Sequence, residues 1–138
     1  MEKINFQDMS FDATHQAIIA IVNEKSEFLS DQQIKDAQYD ILEFIKQYNH
    51  PPHLMINLQY LRTPVHPELQ EWIALKIIPK ILKMGILKIA YIMPMDEVEK
   101  ISVEQITDEV TDSVVNQSSK TAIAYFDNEQ DAFKWFTK

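Results

Sequence analysis

Cysteine is absent from the 138 residues, and glycine occurs once, at Gly85. Without cysteine the chain can form no disulfide, no thiolate zinc site and no cysteine nucleophile. A P-loop or a dinucleotide fingerprint needs several glycines so that backbone can approach phosphate. One glycine argues against a nucleotide held in either way, and no cofactor is expected. Basic residues are also scarce: 13 Lys and Arg stand against 21 Asp and Glu, a formal net charge of -8. Phosphate contacts dominate nucleic-acid affinity, so a nucleic-acid partner is not expected. Long apolar runs are missing too. Met1 to Phe6 has no apolar core of a signal peptide. The most apolar stretch, Ile73 to Pro94, is interrupted by Lys76, Lys80, Lys83 and Lys88 and cannot span a bilayer. The expectation is a single cytoplasmic domain over residues 1–138.

What is present is enough apolar material for a core, 46% of residues, with 25% charged residues for a soluble surface. The organising stretch is Leu54 to Pro94. It reads as a strand over Leu54 to Leu61, a loop over Arg62 to Pro67, a helix over Glu68 to Met84, Gly85, and a strand over Lys88 to Met93. Before it, Lys3 to Gln7 and Ser10 to His15 read as two short strands with a turn at Asp8. Ala17 to Val22 is a continuous apolar run of strand length, as in a strand buried on both faces.

Ser30 and Gln33 have the spacing of a capping box, followed by Ile34, Ala37, Ile41, Phe44, Ile45 and Tyr48 at helical spacing. Asn49 to Pro52 stops that helix, since proline cannot continue it. Pro67 suits a first helical position, and Pro79 should bend its helix. Asp96 can cap a helical turn, and Ser102 and Gln105 have a second capping-box spacing. Val98, Ile101, Ile106 and Val110 give an apolar face. After a polar loop at Asn116 to Lys120, Thr121 to Phe126 is the last strand. A short helix capped by Asp127 and Asn128 follows, in which Ala132, Phe133 and Phe136 face inward. The order βββ-α-β-α-β-α-β-α predicts an α/β fold with a mixed sheet of about five to seven strands, an antiparallel N-terminal edge and about four helices.

Several local words match a known group. They are Leu54-Met-Ile-Asn57, Pro67-Glu-Leu-Gln-Glu-Trp72, Ile78-Pro79, Lys83 through Pro94, and Tyr125 through Trp135. With the element order, they resemble the SpoIIAA-like group of STAS and CRAL-TRIO-type domains, in particular the small stand-alone proteins of that kind in Bacteroidetes. The resemblance runs from Ala17 onward. It implies a STAS-like layer of four βα units that works most often by binding a protein partner or an apolar ligand. Two departures matter. The group often has aspartate where Asn57 stands, which puts a carboxylate role there in doubt. The phosphorylatable members carry an Asp-Ser-type loop where this chain has Gln59 to Pro64. Only Thr63 there could accept phosphate, so a phosphoswitch is not expected.

Ligands of open α/β sheets bind outside the carboxyl ends of the strands. That places the candidate surface at Asn57, Tyr60, Arg62, His66, Leu69, Gln70, Glu71 and Trp72. At about 100° per residue, Trp72 falls at the boundary of the helix's apolar arc. It either walls a pocket with Tyr60, Leu61 and Leu69 or roofs the core, as large aromatics commonly do. Gln70 and Glu71 lie in the first helical turn, where a carboxylate also simply stabilises the helix. His66 beside Arg62 has the chemistry of a general base or an anion contact. His50, His53 and His66 flank the same strand, but their spacing matches no ordinary zinc site, and no metal is expected. Lys76, Lys80 and Lys83 form a basic stripe most simply read as a solvated face. The acidic run from Asp96 to Asp112 is read in the same way.

The reading is a non-catalytic binding or regulatory module. A carrier of lipid or other hydrophobic ligand, and a small enzyme using Asn57, Arg62, His66 and Glu71, are the alternatives. A homodimer through an edge strand or through Phe133, Trp135 and Phe136 is a further expectation.

Overall fold

The computed structural model describes residues 5–48, 52–110 and 122–138. Expectations at Lys3, at Asn49 to Pro51 (with His50) and at Asn116 to Thr121 lie outside the described residues. The protein is α/β, with a mixed five-stranded sheet in the order β1-β2-β3-β4-β5. The strands are β1 (Gln7–Asp12), β2 (Ala17–Val22), β3 (His53–Asn57), β4 (Lys88–Ile92) and β5 (Ala122–Phe126). β1 pairs antiparallel with β2, and every other pairing is parallel.

Among the described residues the N-terminal edge has two strands and not three. The expected turn at Asp8 does not form, because Gln7 through Asp12 pair without interruption against Val22 through Ala17. The turn comes later, where the Asp12 carboxylate accepts the His15 backbone N–H at 3.0 Å and Gln16 takes a left-handed φ of 53°.

The three parallel crossovers each step to the adjacent strand in the same direction, which puts their helices on one face. The first is α1 (Asp31–Gln47). Its capping box is present: Gln33 N–H donates to the Ser30 hydroxyl at 3.1 Å, and Ser30 N–H donates to Gln33 Oε1 at 2.7 Å. The second is one continuous helix in three parts: α2 (Pro67–Trp72), a π-helical turn (Ile73–Ile77) and α3 (Ile78–Lys83). Pro67 holds its first position, as expected.

Just before Pro79 the helix changes register. The wide turn closes with Ile78 N–H bonding the Ile73 carbonyl, five residues back. That geometry takes up the missing donor and the ring clash a proline brings to a regular helix. Gly85 ends the helix with a left-handed φ of 89° and its N–H on the Leu82 carbonyl, the usual position for glycine after a helix.

The third crossover helix, α4 (Glu97–Val110), corrects two expectations. Asp96 caps it, with Val98 N–H on Asp96 Oδ1 at 3.0 Å, so Ser102 lies inside the helix and not at its start. Its inward stripe is Glu99, Ser102, Val103 and Ile106, all buried, whereas Val98 and Ile101 are exposed. α5 (Glu129–Phe136) lies on the opposite face of the sheet, capped by Asn128.

The alternation of β2 shows both layers. Ile18, Ala20 and Val22 join the core under α1 to α4, while Ala17 and Ile19 pack with Met55, Ala90, Ile92, Ala132 and Phe136 under α5. Lys88 secures α5 from below: its ammonium donates to the carbonyls of Trp135 at 2.7 Å and Lys138 at 3.0 Å. Phe136 is buried, and Phe133 and Trp135 pack beside it against the sheet. Among the described residues no helix is long and apolar enough to cross a membrane.

Candidate functional site

Three loops leave the carboxyl ends of β2, β3 and β4 together, and a hydroxyl network fixes the first two to each other. The fully buried Ser26 hydroxyl donates to the Tyr60 carbonyl at 3.2 Å and accepts Arg62 N–H at 3.0 Å. The Thr63 hydroxyl donates to the Ser26 carbonyl and accepts Leu29 N–H at 3.2 Å. Thr63 thus serves as a clamp between loops. The third loop joins through Met95 N–H on the Gln59 carbonyl at 3.4 Å.

Between these loops lies a cleft of about 290 Å3. Glu27 lines it from the first loop, Gln59 to Arg62 from the second, and Met95, Asp96 and Glu99 from the third loop and the start of α4. Apolar side chains line it too: Tyr60 is 39% exposed and Met95 73%. Phe28, next to Glu27 in the first loop and 88% exposed, holds a left-handed φ of 59°, a strained conformation for a bulky side chain.

Two carboxyl groups dominate the electrostatics. Burial pushes the Glu99 carboxyl above the usual glutamate range, and its hydrogen bond with Asp96 adds to the shift. Asp96 is displaced the other way, first by that same hydrogen bond and then by Val98 N–H. The contact between the two carboxyl groups thus raises one and lowers the other, with Arg62 close enough to favour the charged form of both. Glu99 Oε2 is buried and has no hydrogen-bond partner among the described residues.

The residues singled out from the sequence divide into those at the cleft and those elsewhere. Tyr60 and Arg62 line it. Asn57 is buried at the end of β3, donating to Glu129 Oε2 at 2.9 Å and accepting Gln59 N–H at 2.9 Å. His66 is exposed just before α2, with Nε2 2.7 Å from Asp31 Oδ2. Leu69 and Gln70 are buried, and the Gln70 amide bonds the Val65 carbonyl at 2.6 Å and Gln105 Oε1 at 3.0 Å. Glu71 is exposed. Trp72 lies over α1, edge-on to Tyr39 at 5.8 Å, with the Lys35 ammonium 5.0 Å from its ring centre.

His53 stacks on Phe136 at 4.7 Å and bonds the His15 carbonyl, at the far end of β3 from His66. Sequence reasoning missed Glu27, Gln59, Met95, Asp96 and Glu99 as a group. The one available signal was Glu99 with Ser102 and Val103, a stripe whose polar members hid it.

A second space lies under α1 in the main core, walled by apolar side chains including Ile34, Ile56, Ile73, Val103 and Ile106. At about 60 Å3 it is well below the roughly 150 Å3 that holds a benzene. Among the described residues no group of three or more His, Asp or Glu side chains is arranged to hold a metal ion. Compared with protein-family models, with curated proteins and with solved structures, the chain matches none.

Proposed function

We propose that this protein is a cytoplasmic, non-catalytic binding or regulatory module of STAS-like kind, which receives a ligand or partner in the cleft between Tyr60, Arg62 and Glu99. The observation that carries the reading is the cleft's construction. It stands outside the carboxyl ends of parallel strands, where open α/β sheets take ligands, and its walls are held by buried hydroxyls. The βα order supports the resemblance: four units, β2-α1, β3-α2-α3, β4-α4 and β5-α5, follow one another across the sheet.

Carriage of a lipid is the weaker reading, because the core space of about 60 Å3 is too small for an acyl chain. Catalysis through Asn57, His66 and Glu71 is weaker too, since Asn57 is committed to Glu129 and Gln59, and His66 to Asp31. Self-association through the outer edge of β1 is compatible with the module and is read directly by sedimentation.

The test is photo-crosslinking in the producing cells. A crosslinking residue at Tyr60 is expected to give discrete adducts whose yield changes with Arg62→Glu, while one at the exposed Lys46 gives none. Adducts that are equal at both positions, or indifferent to Arg62, refute the reading.

A further inference from the structure

We infer that the cleft takes the ammonium or guanidinium group of an amine ligand. This rests on the binding-module reading above and names the chemistry of what is bound.

The first ground is an excess of acceptors. Glu27, Asp96 and Glu99 line the cleft against a single guanidinium, Arg62. Three carboxyl groups thus face one cation. An anion drawn to Arg62 would meet them, and like charges brought together are costly.

The second ground is Glu99 itself. Its side chain belongs to a residue only 7% exposed, it lines the cleft, and Oε2 has no partner among the described residues. A buried acceptor left unmade costs free energy, and a donor N–H that meets it as the Glu99 carboxyl turns towards the cleft recovers that cost. The missing group is therefore a donor, and the surrounding charge favours a positive one.

The third ground is the rim. The exposed Tyr60 ring and the Met95 thioether suit an alkylammonium, whose charge is attracted to an aromatic face and whose carbon stem prefers apolar contact. A free polyamine and a lysine side chain of a protein share this chemistry.

The test is a chemical-shift titration of the 15N-labelled protein at neutral pH. The probes are spermidine, a blocked peptide with one central lysine, inorganic phosphate and 1-butanol. Asp96→Asn removes the charge and keeps a good helix cap, so it is expected to fold. Glu43→Gln, on exposed α1, is the control. Spermidine or the peptide is expected to shift the amides of Glu27, Gln59 to Arg62 and Met95 to Glu99 saturably. Asp96→Asn should weaken that response about tenfold, as for loss of a charged hydrogen bond, and Glu43→Gln should leave it unchanged. Tighter binding of spermidine identifies a free polyamine, and tighter binding of the peptide identifies a partner's side chain.

No shift with either ammonium probe, or a shift indifferent to Asp96→Asn, overturns the inference. If phosphate or butanol shifts these amides instead, the cationic assignment falls and the binding module stands. If all four probes are silent and Tyr60 yields no crosslinks, both fall.

Discussion

The Asn57 side-chain amide donates to Glu129 Oε2 at 2.9 Å, joining the end of β3 to the first turn of α5 on the far face of the sheet. Its oxygen meanwhile accepts Gln59 N–H and turns the chain towards the cleft. One residue thus places both the cleft loop and the only described helix of the second layer.

That pairing makes Asn57→Asp a sharp experiment, because the new carboxylate would face Glu129. The substitution is expected to destabilise the protein by about 1–3 kcal/mol at neutral pH, the range for a lost buried hydrogen bond. Glu129→Gln should restore most of it, since the glutamine amide can donate to the new aspartate. Urea denaturation of the four proteins of the cycle measures the coupling. Equal stabilities for Asn57→Asp with and without Glu129→Gln would mean the contact contributes nothing.

Ser26→Ala removes a hydroxyl that is fully buried and joins the first two cleft loops. The Arg62 N–H then loses its acceptor, and the expected cost is about 1–3 kcal/mol. Faster amide hydrogen exchange should be confined to Arg62 and its loop neighbours. Protection at Arg62 unchanged from wild type would refute the clamp.

Trp72 packs between α1 and the helix that begins at Pro67, and it lies outside the cleft lining. Trp72→Ala is expected to cost about 2 kcal/mol, below the roughly 3–5 kcal/mol of a fully buried aromatic. The chemical shifts of Tyr60, Arg62 and Asp96 should not move. A stable variant with altered cleft shifts would return Trp72 to the site.

Glu99 sets a pH dependence whose sign follows from its raised value. The unfolded chain gives up this proton at the ordinary glutamate pKa, about 4.3, and the folded protein gives it up at higher pH. Between the two, the folded state binds more protons, so stability falls as pH rises. Glu99→Gln cannot ionise. It should gain stability relative to wild type as pH is raised through that window, and the gain should vanish below the ordinary value. Asp96 runs oppositely: its carboxylate is held low, so its contribution is present above the ordinary aspartate value and lost as pH falls through the depressed one. Urea midpoints for both proteins across this range check the sign. A difference that does not vary with pH excludes a shifted Glu99.

Much of the fold is local chemistry and was readable as such. Ser30 and Gln33 cap α1 from three residues apart, Pro67 opens a helix because its missing N–H has no partner there anyway, and Gly85 closes one because only glycine takes that φ easily. The misreadings were equally physical. Ser102 and Gln105 have the spacing of a capping box, but i and i+3 are also neighbours on the face of a helix already begun at Asp96. Val98 and Ile101 looked like a core face because apolar residues ordinarily are; the helix turned Glu99 and Val103 inward in their place.

The sequence by itself determined the α/β class, the antiparallel edge and the parallel strands that follow, because periodicity, caps and breakers act over a few residues. Only the tertiary structure decided that Glu27, Arg62, Asp96 and Glu99 share one cleft, that Trp72 belongs to the α1 contact, and that Asn57 answers Glu129. Each of those relationships joins residues tens of positions apart. They exist because adjacent parallel strands deliver their loops to the same end of the sheet, and burial then changes what a carboxyl group placed there can do.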